Sequence, residues 1–226
     1  KEIGVAVIDI GGGTTDLLLY ADGGIAHTSI IPAGGNNITS DVAAGLRTPM
    51  AEAERLKRNY GCALGRMISD EEEIEVPGVG GHSPRRVARR LLSDIIEPRV
   101  EEIFAEARRR IEETGLLEQV SSGCVLTGGA ALMEGMVECA EEILGMPVRL
   151  GFPVGVKGIV QLVQGPQYAT GVGLLRYGAQ QLADRAHHQQ QQAPGRGRVQ
   201  SQPDEAEMAV EAGGKSGFWS WFRAAF

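Results

Sequence analysis

The sequence lacks the features of membrane-spanning, disulfide-rich and nucleic-acid-binding proteins. No apolar run approaches the roughly 20 residues that a membrane-spanning helix needs. The three cysteines, Cys62, Cys124 and Cys139, form no CxxC pair and leave one unpaired in any disulfide scheme, which favours a reducing, cytoplasmic compartment. With 22 basic and 29 acidic residues the net charge is −7, so we expect no general affinity for nucleic acid.

Aromatic residues are also scarce, and they are unevenly placed. They form 5% of the 226 residues, but both tryptophans and three phenylalanines fall near the end of the chain. These five residues are Phe218, Trp219, Trp221, Phe222 and Phe226. A packed domain does not usually keep its tryptophans at a terminus, so the cluster predicts a separate role. No initiator methionine precedes the first apolar segment, and we therefore expect the natural chain to extend upstream.

The order of the apolar segments predicts an α/β fold. Three short segments separated by glycine turns indicate a meander of strands at 3–10, 17–20 and 25–31. Strands and helices then alternate, which is typical of α/β proteins. The later predicted strands are 123–127 and 147–150, and the predicted helices are 36–46, Pro49 to near Gly61 with Thr48 as N-cap, 87–111, 132–144 and 167–182.

Three stretches between or after these elements have distinct compositions. Residues 70–86 are acidic and then rich in glycine and proline, which suits a small irregular or β-type subdomain. The helix at 87–111 carries arginines beside acids, so we expect a solvated, salt-bridged surface. Residues 183–214 have no apolar periodicity, and this composition predicts a disordered linker.

The glycine-rich run between the first two strands predicts a phosphate-binding turn. Three glycines at a hairpin tip let main-chain N–H groups converge on an anion, and two threonines add hydroxyl donors. The aspartate that ends the first strand is suited to hold a hydrated Mg²⁺ or to orient a water. The candidate residues are Asp9, Gly11, Gly12, Gly13, Thr14 and Thr15. An ordinary glycine-rich hairpin is the alternative.

Two further elements suit a nucleoside. Gly128 and Gly129 follow a predicted strand and open a predicted helix, which favours phosphate or ribose oxygens, although close strand–helix packing also uses such glycines. Glu54, Lys57 and Arg58 share one helix face. That face fits ribose hydroxyls and an adenine edge or, alternatively, is a solvated surface.

Together and in this order, these elements resemble the second half of the actin-like ATPase superfamily. Within the superfamily the chain is most similar to the FtsA family of bacterial cell-division proteins. The similarity covers about 1–180 and the C-terminal end. The runs that carry it are GCALG (61–65), VPGVGG (76–81), IIEPR (95–99), LTGGAALMEG (126–135) and YATGVGLLRYG (168–178).

The resemblance implies an actin-like, ribonuclease-H-like fold in which this chain supplies the second lobe. The implied divisions are a large subdomain at 1–46 and 96–150, a small inserted subdomain at 47–95, a segment returning to the first lobe at 151–182, the disordered linker at 183–214 and a membrane-targeting amphipathic helix at 215–226. The chain would then hold half of a nucleotide cleft, so we expect weak ATP binding or none from it in isolation.

The resemblance also implies the ligands, which are ATP and a Mg²⁺ held by Asp9 through water. The octet from Asp9 to Asp16 resembles the second phosphate motif of the superfamily, and Leu126 to Ala131 its adenosine motif. The implied ATP-binding residues beyond the first turn are Gly34, Gly35, Glu54, Lys57, Arg58, Gly128, Gly129, Ala130 and Met133.

The terminal aromatic residues form one face of a short predicted helix. At about 100° per residue, all five fall within an arc of about 160°. Such a face lies in the membrane interface, and Lys215 and Arg223 attract anionic lipid. Because the segment is short, a single copy should bind weakly, and self-association should strengthen the attachment. A terminal helix packed on its own domain is the alternative, which the long polar linker disfavours.

Two functions fit these features. The first, which the resemblance implies, is a division adaptor that binds ATP, self-associates like actin and anchors the FtsZ ring to the cytoplasmic face of the bacterial inner membrane at the septum, alongside other divisome membrane proteins. Its ATPase activity would be slow at most. The second is an ATPase or phosphotransferase of the same fold, such as a pilus-assembly or chaperone-type relative, that uses Asp9 to orient water or a hydroxyl. The aromatic tail favours the adaptor, since a soluble kinase has no use for a membrane helix.

Overall fold

A computed structural model describes residues 4–78, 80, 83–155 and 162–192. Its strands are β1 (Val5–Ile10), β2 (Thr15–Ala21), β3 (Gly24–Ile31), β4 (Glu73–Val76), β5 (Arg85–Ala88), β6 (Cys124–Thr127) and β7 (Val148–Leu150). Its helices are α1 (Gly35–Leu46), α2 (Met50–Tyr60), α3 (Arg89–Glu113), α4 (Met136–Leu144) and α5 (Ala169–Gln192). Residues 1–183 form one compact unit, and residues 184–226 are a second, of which only helical residues up to 192 are described.

Five strands form one mixed sheet in the order β3-β2-β1-β6-β7. The predicted meander is confirmed, because β1, β2 and β3 pair antiparallel, whereas β6 lies parallel to β1 and β7 parallel to β6. The register sets Asp9 of β1 opposite Asp16 on one side and Thr127 on the other. The two glycine turns that follow β1 and β6 therefore emerge side by side at one edge of the sheet.

The core lies between the sheet and helices α1, α3 and α4. Alternate residues of β1 and β2 are fully buried, which is the two-residue period of a strand with one face covered. Phe104, near the middle of the 25-residue α3, is also fully buried. This packing holds the sheet edge and the start of α1 in a fixed relation.

A smaller module lies beside the sheet and consists of α2 and the β4–β5 hairpin. The hairpin pairs Glu73 with Ala88 and Val76 with Arg85, which confirms the β-type element expected within 70–86. Ile74 and Val76 belong to the same core cluster as the main sheet. The module is therefore packed onto the larger one through apolar side chains.

The outer surface of α3 carries the ion pairs that the sequence predicted. Arg108 pairs with Glu112, and Arg109 and Arg110 both pair with Glu106. The two guanidinium groups lower the pKa of Glu106 to about 2, chiefly through the hydrogen bonds that they donate.

Two helix starts differ from the prediction. Helix α2 begins at Met50 with Pro49 in the N-cap position, and the Thr48 hydroxyl donates instead to the Pro77 carbonyl at 2.9 Å. Thr48 thus ties α2 to the strand β4 side of the module rather than capping the helix.

The turn at Gly128 and Gly129 does not open an α-helix. It leads into a single 3₁₀ turn, Ala130–Leu132, and α4 begins only at Met136. Gly135 precedes α4 with a φ of 77°, a left-handed conformation that stops the helix from starting earlier. The helix dipole that we expected at Gly128 is therefore absent there.

The last described helix is longer than predicted. Helix α5 continues to Gln192 instead of stopping near 182, so the stretch that we expected to be disordered begins as helix. The rest of that stretch and the aromatic residues at 218–226 lie outside the described residues. None of the described helices is both long enough and apolar enough to cross a bilayer.

Candidate functional site

A cavity of about 700 Å³ opens where the ends of β1 and β6 meet α1, α2 and the start of α5. The residues that the sequence predicted and that line this cavity are Asp9, Gly11, Gly12, Gly35, Glu54, Lys57, Arg58, Gly128, Gly129, Ala130 and Met133. Segments separated by more than 100 residues in the chain thus share one cleft.

The hairpin tip after β1 is held by its carbonyl groups. The Gly11 carbonyl accepts a hydrogen bond from the Gly35 amide at 2.9 Å, and the Gly12 carbonyl accepts one from the Asn36 amide at 2.7 Å. Within the described part of the chain, the amides of Gly12, Gly13 and Thr14 donate to no backbone carbonyl. A tip with its carbonyls anchored and three consecutive amides free is suited to hold an anion.

Gly34 makes this close approach possible. It is buried, and a Cβ on it would lie 2.8 Å from the Gly11 carbonyl oxygen and 2.9 Å from that of Gly12. Gly34 itself does not line the cavity, although its neighbour Gly35 does. Its part in the cleft is therefore to let α1 begin against the hairpin tip.

The two threonines of the hairpin lie in different surroundings. Thr15 is fully buried, and its hydroxyl donates to the Ala33 carbonyl at 2.8 Å. Thr14 and Gly13 are exposed at the tip, outside the residues that line the cavity. The Thr15 hydroxyl therefore braces the segment before α1 and does not face the cavity.

Asp9 lies at the centre of the cleft. Its Oδ2 accepts a hydrogen bond from the Thr170 hydroxyl, in the first turn of α5, at 2.6 Å. On the other side Gly128, with a φ of 92°, packs so closely that a Cβ would overlap Asp9 Oδ1 and the Ile10 carbonyl. The carboxylate is therefore confined between the second glycine turn and the start of α5.

Lys57 connects α2 to the start of α1. Its Nζ donates to the Gly35 carbonyl at 2.9 Å and to the Thr39 hydroxyl at 2.8 Å, and it pairs with Glu54 Oε2 at 2.7 Å. Only 11% of the Lys57 side chain is exposed. All three ammonium hydrogens are thus used in contacts within the protein, and these contacts hold α2 against the start of α1.

The same cluster lowers the pKa of Glu54. Partial burial would raise this pKa, but hydrogen bonds donated by Lys57 and Thr39, together with the charge of Arg58, outweigh that effect. The Glu54 carboxylate is therefore ionised at neutral pH and faces the cavity as an acceptor.

The cavity has two chemically different ends. Near the hairpin tip lie the carboxylates of Asp9 and Asp16 and the free amides. Toward α2 lie Arg58, which pairs with no acidic side chain in the described ranges, and an apolar patch. That patch is formed by Leu132 and Met133, whereas Ile38, which also lies against the cavity, is fully buried.

Several lining residues were missed from the sequence. They are Asp16, Asn36, Ile38, Leu132, Gln167 and Thr170. Asp16 belongs to the glycine octet and Thr170 to the run YATGVGLLRYG, so local patterns pointed to both. Gln167 carries no such signal, since only the fold brings the start of α5 back over β1.

Comparison with known proteins gives a consistent family. A family model described as "Cell division protein FtsA" matches residues 6–173. Cell division protein FtsA of Pseudomonas aeruginosa is 47% identical over 184 residues, which are 81% of this chain and 44% of that protein. FtsA of Escherichia coli strain K12 is 42% identical over 185 residues, 79% of this chain and 44% of the relative. The chain thus spans less than half the length of these relatives.

Solved structures share the fold at low sequence identity. MreB5 of Spiroplasma citri bound to ADP has a TM-score of 0.60 at 19% identity, covering 77% of this chain and 53% of that one. The MamK double helical filament has a TM-score of 0.55 at 18% identity, covering 77% and 54%. The actin-like fold expected from the sequence is confirmed.

Gly128 and Gly129 make a matched pair for testing the packing around Asp9. We expect Gly128→Ala to lower the free energy of unfolding by about 2 kcal/mol or more, because it combines left-handed strain with overlap on backbone. Gly129→Ala should cost much less, since its φ is −67° and the nearest atom to a Cβ is 3.6 Å away. Urea unfolding of both variants measures the difference, and equal costs would contradict this packing.

Lys57→Met should raise the pKa of Glu54, because burial then acts without the main opposing hydrogen bond. A carboxyl with a depressed pKa adds stability above its ordinary value of 4.5 and loses it as the pH falls through the folded value. Because the folded-state pKa of Glu54 is higher in the variant, the contribution of this carboxyl to the free energy of unfolding should be smaller and should be lost at a higher pH than in the wild type. Carboxyl ¹³C shifts of Glu54 measure the pKa. Arg55→Met, which removes only the pair with Glu52, should leave it unchanged, and an unmoved pKa in Lys57→Met would refute the assignment.

Proposed function

This chain belongs to the FtsA family of cell division proteins, and we propose that its cleft binds ATP as part of an adaptor that anchors the FtsZ ring to the membrane. The observation that carries the proposal is that one cavity is lined both by Gly12, whose amide is free in the described chain, and by the polar and apolar side chains of Glu54, Arg58, Leu132 and Met133. An ordinary glycine hairpin needs neither the anchored carbonyls nor the second end. Since the chain spans under half of its relatives, the activity of the whole protein is part of the proposal.

The phosphates of ATP are proposed to lie against the hairpin tip. The amides of Gly12, Gly13 and Thr14 would donate to phosphate oxygens, and the start of α1 adds the positive end of its dipole. The carboxylates of Asp9 and Asp16 offer hard oxygen ligands beside that position, which is the donor set that Mg²⁺ prefers, with water and phosphate completing its shell. Asp9 would hold the metal through water.

The nucleoside is proposed to lie at the α2 end. The ionised carboxylate of Glu54 can accept from ribose hydroxyls, and Arg58 supplies a free guanidinium beside the base. Leu132 and Met133 offer an apolar surface for the base. The actin-like MreB5 of Spiroplasma citri was solved with ADP and with AMPPNP, which supports a nucleotide as the ligand here.

The nucleotide is proposed to act as a structural switch, with slow hydrolysis at most. Asp9 Oδ2 is already engaged by the Thr170 hydroxyl, so a ligand at Asp9 would also reach the start of α5. The alternative is an ATPase or phosphotransferase of the pilus-assembly or chaperone type, in which Asp9 orients the nucleophile. A solved complex of the pilus proteins PilM and PilN shares the fold at 22% identity and a TM-score of 0.55, which leaves this alternative open.

We propose that helix α5 packs against a first lobe. In the proposed division of the chain, 151–182 is a segment that returns to that lobe and belongs neither to the large subdomain (1–46 and 96–150) nor to the small one (47–95). Leu174, Leu175 and Tyr177 are all more than 60% exposed in the described chain. Large apolar side chains exposed together on one helix indicate a surface that another part of the protein covers.

The adaptor role further requires self-association, FtsZ and a membrane. Filament formation by the actin-like MamK supports self-association of this fold. We propose that FtsZ binds the small module, and that the terminal aromatic residues insert into anionic lipid at the cytoplasmic face of the inner membrane. Other membrane proteins of the septum are further proposed partners.

Charge reversal at Arg58 tests the cleft. Arg58→Glu should weaken ATP binding by about tenfold or more, because it places a carboxylate where the nucleotide needs a cation. Arg55→Glu, on the same helix but outside the cavity, should leave the affinity within about twofold. Amide chemical-shift titration of the ¹⁵N-labelled chain detects even millimolar binding. Equal losses in both variants would argue against a nucleotide at this end.

The terminal cluster makes a separate prediction. Trp219→Glu with Trp221→Glu should abolish co-sedimentation with anionic liposomes, since buried carboxylates oppose insertion of the aromatic face. The matched control is Ser220→Glu with Ala224→Glu, which adds the same charge on the opposite side of the proposed helix and should retain more binding. If the double tryptophan variant still pellets with liposomes, the membrane anchor is wrong.

A further inference from the structure

Arg89, the first residue of α3, holds three segments together through one guanidinium. Its side chain is only 15% exposed. Nε donates to the Tyr60 carbonyl at 2.8 Å, one terminal nitrogen donates to Glu72 Oε2 at 2.8 Å, and the other pairs with the Glu134 carboxylate. The end of α2, the segment before β4 and the segment before α4 therefore meet at this side chain. Lysine could not reproduce this arrangement, because its ammonium lacks the planar fork.

Two of these partners adjoin walls of the cleft. Tyr60 ends the helix that carries Lys57 and Arg58, and Glu134 directly follows Met133. The backbone joins the same two segments where the Ala63 amide donates to the Glu134 carbonyl at 2.8 Å. Arg89 thus links the α2 wall to the Met133 wall from outside the cavity.

The other end of the cleft is built without Arg89. The hairpin tip is held by the amides of Gly35 and Asn36, and Asp9 is held by Thr170. Arg89 makes no described hydrogen bond to any of these groups and does not line the cavity. Any effect of Arg89 on a ligand should therefore fall on the nucleoside end alone.

We propose that Arg89 is a positioning residue for the nucleoside, and that it sets the affinity for the base and ribose without affecting the affinity for the phosphates. This inference rests on the proposed binding of ATP in the cleft. The role of Arg89 is additional to ATP binding itself, because the geometry of the nucleoside end is then set by a residue that never touches the ligand. A purely structural ion pair would instead alter the whole cleft or none of it.

The experiment compares two ligands, ATP and inorganic tripolyphosphate, by amide chemical-shift titration of the full chain. Arg89→Met should lower the affinity for ATP by about tenfold, which corresponds to weakening roughly one hydrogen bond between the displaced wall and the nucleoside. The affinity for tripolyphosphate should be unchanged. Arg89→Lys keeps the charge but loses the fork, so it should show the same selective loss if Arg89→Met folds poorly. The control is Arg90→Met, whose side chain is exposed and pairs with Asp70. It should bind both ligands like the wild type.

A double-mutant cycle separates positioning from general destabilisation. Glu134→Ala should also lower the affinity for ATP and not that for tripolyphosphate. In the Arg89→Met background it should cause little further loss of ATP affinity, because both changes remove the same link to the Met133 segment. Equal loss of both ligands, no loss of either, or fully additive effects would overturn the role of Arg89. Failure of the wild-type chain to bind either ligand would show that this half of the cleft holds no nucleotide by itself, and it would overturn this inference, whatever the variants do.

Discussion

The cleft depends on a backbone contact between the hairpin tip and the start of α1. The carbonyls of Gly11 and Gly12 accept from the amides of Gly35 and Asn36, and Gly34 allows this because a Cβ there would meet both carbonyl oxygens. With its carbonyls engaged by the helix, the tip leaves the amides of Gly12, Gly13 and Thr14 without a backbone acceptor in the described chain, and Gly12 lines the cavity. The arrangement of the hairpin tip is thus a consequence of where α1 begins, and α1 is held by packing in the core.

Charged side chains with several partners then join the small module to this scaffold. Lys57, in the last turn of α2, reaches the Gly35 carbonyl and Thr39, and Arg89 reaches from α3 to the carbonyl of Tyr60, the last residue of α2. Partly buried charges of this kind add little net stability, because desolvation offsets most of their attraction. Their consequence is geometric, since each satisfied donor allows one arrangement of the two walls. The α2 side of the cavity is therefore shaped both by Lys57, which lines it, and by Arg89, which does not.

Several elements could be predicted from local patterns, whereas others depended on distant neighbours. The meander, the strand ending at Asp9 and the face of Glu54, Lys57 and Arg58 follow from residue period and turn composition alone. At Gly128 the local pattern predicts a helix start, because Gly-Gly after a strand often precedes one. In the folded protein Gly128 is required by the carboxylate of Asp9, which lies 119 positions earlier in the chain. The residues adjacent to Gly128 in the sequence do not predict that contact.

The sequence by itself determined the fold class, the family and the residue types at both ends of the cleft, because these depend on periodicity and on motifs of adjacent residues. The tertiary structure decided which of those residues face the cavity. In the folded chain the Thr15 hydroxyl donates to the Ala33 carbonyl, the Lys57 ammonium donates to the Gly35 carbonyl, and the Thr170 hydroxyl donates to Asp9. Each of these outcomes is a hydrogen bond between segments far apart in the chain, and only the packing of the sheet against its helices brings such partners within reach.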